Sequence, residues 1–137
     1  MSEVLDRVSQ IASRLGLSFE KEESVRIHIG EVQVQVVPEG ERAASVTISL
    51  PLPSEYSTIE DIESLVNSYR AALTVFLSLK SFDEAKYELD TSLPTNPCLY
   101  LTKKFSNLDA LAKELEEGLE KAKELASTAV EERGEEG

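Results

Sequence analysis

The pattern of apolar residues changes halfway along residues 59–80. The second half, residues 71–79, has almost no polar side, and a helix that is apolar all round is expected to be covered on more than one side. One sheet can cover one side, so we expect a second contact at residues 71–79, for example with a second copy of the protein. The first half carries a single helical stripe that we expect to lie on a sheet, made of Ile59, Ile62, Leu65, Val66 and Tyr69.

Upstream of this helix, the period of the apolar residues shortens from that of a helix to two. Residues 3–17 repeat apolar side chains at spacings of three and four, which predicts a first helix. Residues 24–36 alternate around Gly30-Glu31, which is typical of a β-hairpin with glycine first in a two-residue loop. Pairing Ile29 with Val32 puts the apolar side chains of both strands on one face.

Three further strands and a last helix complete the pattern. Alternating residues predict strands at 44–50, 84–89 and about 98–103, and an apolar stripe predicts a helix from Ser106 to about residue 126. Gly118 inside this helix indicates either close approach of another backbone or simple tolerance, and we favour tolerance. Ser57 with Glu60 predicts the N-cap of the middle helix, and Ser106 with Asp109 that of the last one.

The predicted fold is α+β, with a single antiparallel five-stranded sheet and helices packed on it in the order α-β-β-β-α-β-β-α. Residues 1–130 are predicted to form one domain and residues 131–137 an acidic, flexible tail. This order of elements, with the small size and acidic charge, resembles the type III secretion chaperone-like fold. The resemblance implies a cytoplasmic and usually dimeric protein whose second helix, here residues 59–80, lies at the dimer interface. It rests on element order and assigns no functional residue.

The net charge of −12 narrows the classes of partner. Phosphate backbones and anionic membrane surfaces attract clusters of Lys and Arg, so neither nucleic acid nor a membrane is expected to bind. No apolar run reaches the ~18 residues of a membrane-spanning helix, and the first residues do not form a signal peptide, which indicates a cytoplasmic location. The absence of Trp, with plentiful Glu and Lys, hints at a thermophilic source.

Residues suited to catalysis or metal binding are scarce. A zinc site needs three or four ligands, whereas the chain holds one histidine, His28, and one cysteine, Cys98. No glycine-rich phosphate loop and no nucleophile elbow is present. The sequence therefore predicts no catalytic, cofactor-binding or metal-binding residue and no cofactor, and it favours a protein that is not an enzyme without deciding the point.

The leading hypothesis is a non-enzymatic protein-binding module, chaperone-like or adaptor, that acts as a homodimer and binds a protein or peptide. An alternative is a small-ligand-binding or enzymatic domain with a pocket between the sheet and the helices. A third hypothesis makes the last helix a docking element in a larger assembly. The candidate interface lies on the middle helix and consists of Tyr69, Arg70, Leu73, Phe76 and Leu77.

Overall fold

Three helices lie on one face of a six-stranded antiparallel sheet in the computed structural model. The structure describes the backbone of residues 3–136 and the side chains of residues 3–125. The strands lie side by side in the order β1-β2-β3-β4-β6-β5. The class is therefore α+β, as predicted. Along the chain the elements are α1 (Glu3–Arg14), β1 (Ser18–Lys21), β2 (Val25–Ile29), β3 (Val32–Pro38), β4 (Ala44–Pro51), α2 (Ile59–Ser78), β5 (Glu84–Asp90), β6 (Cys98–Phe105) and α3 (Leu108–Glu136).

The prediction of five strands is wrong because it lacks β1. This strand is only four residues long and pairs with β2 at one edge of the sheet, with Phe19 opposite Ile27. Three of its four side chains are exposed, and the fourth, Phe19, is half-buried and is the only apolar residue of the strand. A single apolar side chain shows no alternation, so the sequence gives no signal for a strand here.

The predicted β2–β3 hairpin is confirmed with its register. Val25 lies opposite Val36, Ile27 opposite Val34 and Ile29 opposite Val32. Gly30 has a φ of +59°, and no residue other than glycine has a positive φ among the described residues. A positive φ at the first loop position alone is typical of a type II′ turn, which only glycine adopts there at little cost.

The hydrophobic core lies between the helices and the inner face of β2, β3 and β4. Alternate side chains of these strands are buried, and α3 contributes Leu108, Leu111, Leu115 and Leu119, each with no more than 1% of its surface exposed. Strand β6 inserts between β4 and β5, so residues 98–105 join the sheet beside residues 44–51. No helix among the described residues is long and apolar enough to cross a membrane.

Both predicted N-caps are wrong by one residue. Thr58, not Ser57, caps α2, since its hydroxyl accepts from the Asp61 amide and the Asp61 carboxylate accepts from the Thr58 amide. Hydrogen bonds to its carboxylate from the backbone amide and the side chain of Thr58 lower the pKa of Asp61. Asn107, not Ser106, caps α3, because its Oδ1 accepts from the amide of the residue three positions on, Ala110. The start of each helix has two adjacent residues that can act as the N-cap, and capping propensity does not choose between them.

Gly118 marks a close approach of α3 to α2, so the interpretation as simple tolerance is wrong. A Cβ atom at this position would lie 3.0 Å from the Cα of Val75 and 3.0 Å from the Cβ of Ser78. The acidic tail predicted at residues 131–137 falls where side chains lie outside the described residues.

Candidate interaction surface

One side of α2 is buried against the sheet and α3. Small residues dominate this side, and α3 approaches it closely where Gly118 faces Val75. The stripe that the sequence assigned to the sheet is only partly buried. Leu65 is 7% exposed, whereas Ile59 is 77% exposed and Ile62 and Val66 are exposed as well. The buried residues of the helix are Leu65, Ser68, Ala71, Ala72 and Val75.

The other side of α2 presents a continuous apolar stripe, which we call the α2 seam. Successive residues from Ile59 to Phe76 are separated by three, four, three, four and three positions, which is the spacing of the a and d positions of a coiled coil. Tyr69 and Phe76 are half-buried, and Leu77, on the same side, is 67% exposed. The α2 seam consists of Ile59, Ile62, Val66, Tyr69, Leu73, Phe76 and Leu77.

A second open apolar surface lies on the inner face of the last two strands, and we call it the β5–β6 face. Tyr87 lies opposite Leu101, and Leu89 opposite Leu99, so these four side chains share one face. Leu101 in turn lies opposite the buried Ile48 of β4, which shows that this is the face on which the helices pack. Tyr87 is nevertheless 78% exposed.

Two half-buried residues of the α2 seam, Tyr69 and Phe76, contact the sheet. The hydroxyl of Tyr69 donates to the carbonyl of Pro51 at the end of β4, at 2.6 Å. Burial raises the pKa of this hydroxyl, with smaller contributions from the charges of Glu31 and Cys98. Below the other half of the helix, the ammonium of Lys103 on β6 lies 3.9 Å from the centre of the Phe76 ring. These contacts place the α2 seam beside the inner face of β6, and so next to the β5–β6 face.

The C-terminus of α2 is fixed by a buried cation. Lys103 is 5% exposed, and its Nζ donates to the carbonyls of Phe76 and Leu79, each at 2.7 Å. A cation suits this end of a helix because the last carbonyls carry a partial negative charge. Burial lowers the pKa of Lys103, although the negative charge of Glu114 partly opposes that shift.

Glu114 of α3 binds the chain as it leaves α2. Its carboxylate accepts from the amides of Lys80 and Ser81, at 2.6 and 2.8 Å, and from the Ser81 hydroxyl. Burial acts to raise the pKa of Glu114, but the hydrogen bonds from Ser81 and Lys80 outweigh it and the pKa is lowered. Together with Lys103, this carboxylate ties the C-terminal end of α2 to β6 and α3.

Two opposite charges flank the solvent side of the α2 seam. Glu63 and Arg70 are one heptad apart, so they lie on the same side of the helix and about 10 Å apart along its axis. Both are exposed, and neither makes an ion pair in the part of the chain whose side chains are described.

Two depressions on the surface do not match the predicted pocket between sheet and helices. One, of about 500 Å³, is an open groove between α1 and α3 whose charged side chains include Arg14 and Glu116, joined by an ion pair at 2.8 Å. The other, of about 290 Å³, lies on the outer face of the sheet near Cys98 and Tyr100. Tyr87 and Tyr100 point to opposite faces of the sheet, so they do not form one aromatic patch.

The structure places all five predicted interface residues on or beside the α2 seam. Arg70, Leu73 and Leu77 are exposed, while Tyr69 and Phe76 are half-buried. Sequence reasoning missed the β5–β6 face and the exposed end of the α2 seam near Ile59. The heptad spacing was the signal available for that end. Among the described residues, no group of three or more His, Cys, Asp or Glu side chains is placed to hold a metal ion.

No protein-family model matches the chain, and no curated protein matches it in sequence. Among solved structures, the chain is similar to YbjN from E. coli, for which a role as transcription regulator has been suggested, with 14% identity, a TM-score of 0.43, and coverage of 94% of this chain and 93% of that one. It is also similar to an uncharacterized protein from Methanothermobacter thermautotrophicus, with 13% identity, a TM-score of 0.43, and coverage of 95% and 98%. Similarity at this level carries no argument about function.

Proposed function

We propose that this protein is a non-enzymatic protein-binding module, of the chaperone-like or adaptor kind, that acts as a homodimer. Its binding surface consists of the α2 seam and the β5–β6 face. The partner of this surface is an apolar segment of another polypeptide, and a second copy of the chain is one such partner.

The observation that carries the proposal is that exposed apolar side chains follow one another along α2 and on the β5–β6 face. Single exposed apolar side chains are ordinary, but contiguous apolar patches on a folded monomer mark interaction sites. Here the apolar side chains belong to regular elements, and Lys103 and Glu114 hold α2 in place. Preorganisation of this kind favours binding because little conformational entropy is lost when the partner arrives.

Analytical ultracentrifugation at micromolar concentration tests the proposal. We expect the wild-type chain to sediment as a dimer and the Leu73→Asp variant to sediment as a folded monomer, because a charge at the centre of an apolar interface loses its hydration. Leu125→Asp is the matched control, since Leu125 is also an exposed leucine on a helix, 43% exposed against 47% for Leu73.

Two outcomes would contradict this proposal. A wild-type monomer over the whole concentration range removes the homodimer. Dissociation by Leu125→Asp but not by Leu73→Asp moves the interface to α3. Circular dichroism spectra of the two variants check that each is folded.

A further inference from the structure

The α2 seam is complementary to itself when two copies run antiparallel. In an antiparallel helix pair, each a position faces a d position of the other helix, and the residues of this seam satisfy that requirement along its whole length. The contact extends over about 27 Å of helix, given the rise of ~1.5 Å per residue. The facing pairs are Ile59 with Phe76, Ile62 with Leu73, and Val66 with Tyr69.

The flanking charges are complementary in the same register. With Ile62 facing Leu73, the side chain of Glu63 stands about 3 Å along the axis from that of Arg70 on the other helix. The twofold symmetry of such a pair produces this contact twice. Within one chain the two residues are too far apart to pair, and neither has another ion-pair partner among the described side chains.

A parallel arrangement does not fit these charges. It would place the flank that carries Glu63 and Arg70 on one helix against the opposite flank of the other helix, so neither charge would meet its counterpart. The other flank is not available for compensation, because Leu65 and Ala72 are buried in the core of their own chain. Charge complementarity thus favours a second copy of the chain as the partner of the α2 seam, and it favours the antiparallel direction.

We infer that two copies of the chain join through antiparallel α2 helices, with Ile62 facing Leu73 and with Glu63 of each copy bound to Arg70 of the partner subunit. The inference rests on the proposed function, because it specifies the partner and register of the same surface. An interface of standard size buries about 800 Å² per partner. In this dimer the β5–β6 face of each copy contributes apolar area in addition to the helix pair.

Disulfide cross-linking tests the register in the intact chain. In a Cys98→Ser background, which removes the native thiol, we expect the double variant Ile62→Cys/Leu73→Cys to form a covalent dimer on oxidation. The single variants should remain uncross-linked, because each new thiol then faces a leucine or an isoleucine. The two thiols of one chain cannot join each other, since they stand about 16 Å apart on a rigid helix.

Charge reversal tests the ion pair separately. Glu63→Arg and Arg70→Glu should each weaken dimerisation about tenfold, since each places like charges together at two positions. The double variant Glu63→Arg/Arg70→Glu should restore the wild-type dissociation constant. Glu60→Arg, on the same helix but away from the seam, should leave it unchanged.

The outcomes separate this inference from the proposed function. Cross-linking of the single variants, or no rescue by the double charge reversal, overturns the antiparallel register, while a dimer that Leu73→Asp dissociates still supports the binding surface. If the wild-type chain is monomeric and the double cysteine variant does not cross-link, the inference fails together with the homodimer.

Discussion

The inner strands β2 and β3 and the edge strand β5 carry the same alternating pattern and differ completely in burial. In β2 and β3 the apolar residues of the inner face, such as Ile27 and Val34, have no exposed surface. In β5 the corresponding residues Tyr87 and Leu89 are exposed, although they point to the same side. Alternation therefore identifies the apolar face of a strand, but whether that face is covered depends on where the helices lie.

The largest expected effect comes from replacing a leucine by alanine at two positions in the same cross-strand row of the sheet. Leu50, on β4, is 6% exposed, and Leu89, two strands away in the same row, is 56% exposed. In a Leu73→Asp background, Leu50→Ala should lower the free energy of unfolding by about 3 kcal/mol, and Leu89→Ala should change it by less than about 0.5 kcal/mol. Urea denaturation measures both. Equal losses would show that the β5–β6 face is covered within one chain.

The next largest effect is expected at Lys103, the buried cation of β6. Lys103→Met should lower the free energy of unfolding by about 2 kcal/mol, because the carbonyls of Phe76 and Leu79 lose their donor in a buried site. Lys104→Met, on the outer face of the same strand, should cost less than about 0.5 kcal/mol. Thermal or urea denaturation compares the two variants. A stabilised Lys103→Met would mean that desolvation of the ammonium outweighs its hydrogen bonds.

A smaller effect is expected where α3 meets α2. Gly118→Ala gains about 1 kcal/mol of helix propensity but forces Val75 and Ser78 to move, which costs roughly 1–3 kcal/mol. The net result should be a loss of about 1 kcal/mol in the free energy of unfolding. Gly40→Ala is the control, because its new Cβ would meet only Ala43 at 3.8 Å. A more stable Gly118→Ala protein would restore the interpretation of simple tolerance.

The smallest effect is a change in pH dependence. The folded-state pKa of Glu114 is lowered, so its contribution to stability is present above the pKa of the unfolded chain, near 4.3, and is lost as the pH falls through the folded pKa. Glu114→Gln should therefore be about 1 kcal/mol less stable than wild type at pH 7, and the difference should shrink below about pH 4. Denaturation at several pH values measures this, with Glu117→Gln as the control. If the stability difference between wild type and Glu114→Gln grew as the pH fell, the expected direction of the pH dependence would be wrong.

Sequence patterns predicted the parts of the fold that local rules determine. The β2–β3 hairpin follows from strict alternation and from Gly30, because a slip of one residue would turn every valine and isoleucine outward. Strand β1 escaped prediction because Phe19 is its one apolar side chain. The insertion of β6 between β4 and β5 depends on tertiary packing and has no local signature.

The candidate surface was predictable in position but not in orientation. The apolar residues of α2 surround the helix, so the sequence offers two faces that could be buried. The choice is made by small side chains: Ala71 and Ala72, with Gly118 opposite, let α3 approach closely, and the larger Ile62 and Leu73 are left outside. That choice depends on the shape of a neighbouring element, and the helix's own periodicity does not contain it.

The position of α3 in the chain has a consequence for the order of folding. Its leucines fill the core beneath strands that begin more than sixty residues earlier, so the cover that α1 and α2 give to the β2–β4 meander stays incomplete until residues 108–122 have been synthesised. Such non-local closure makes folding slow, because the entropy of a long loop is lost before the contacts form. On the ribosome, the six strands should therefore emerge as an incomplete, aggregation-prone intermediate that α3 completes in one late step.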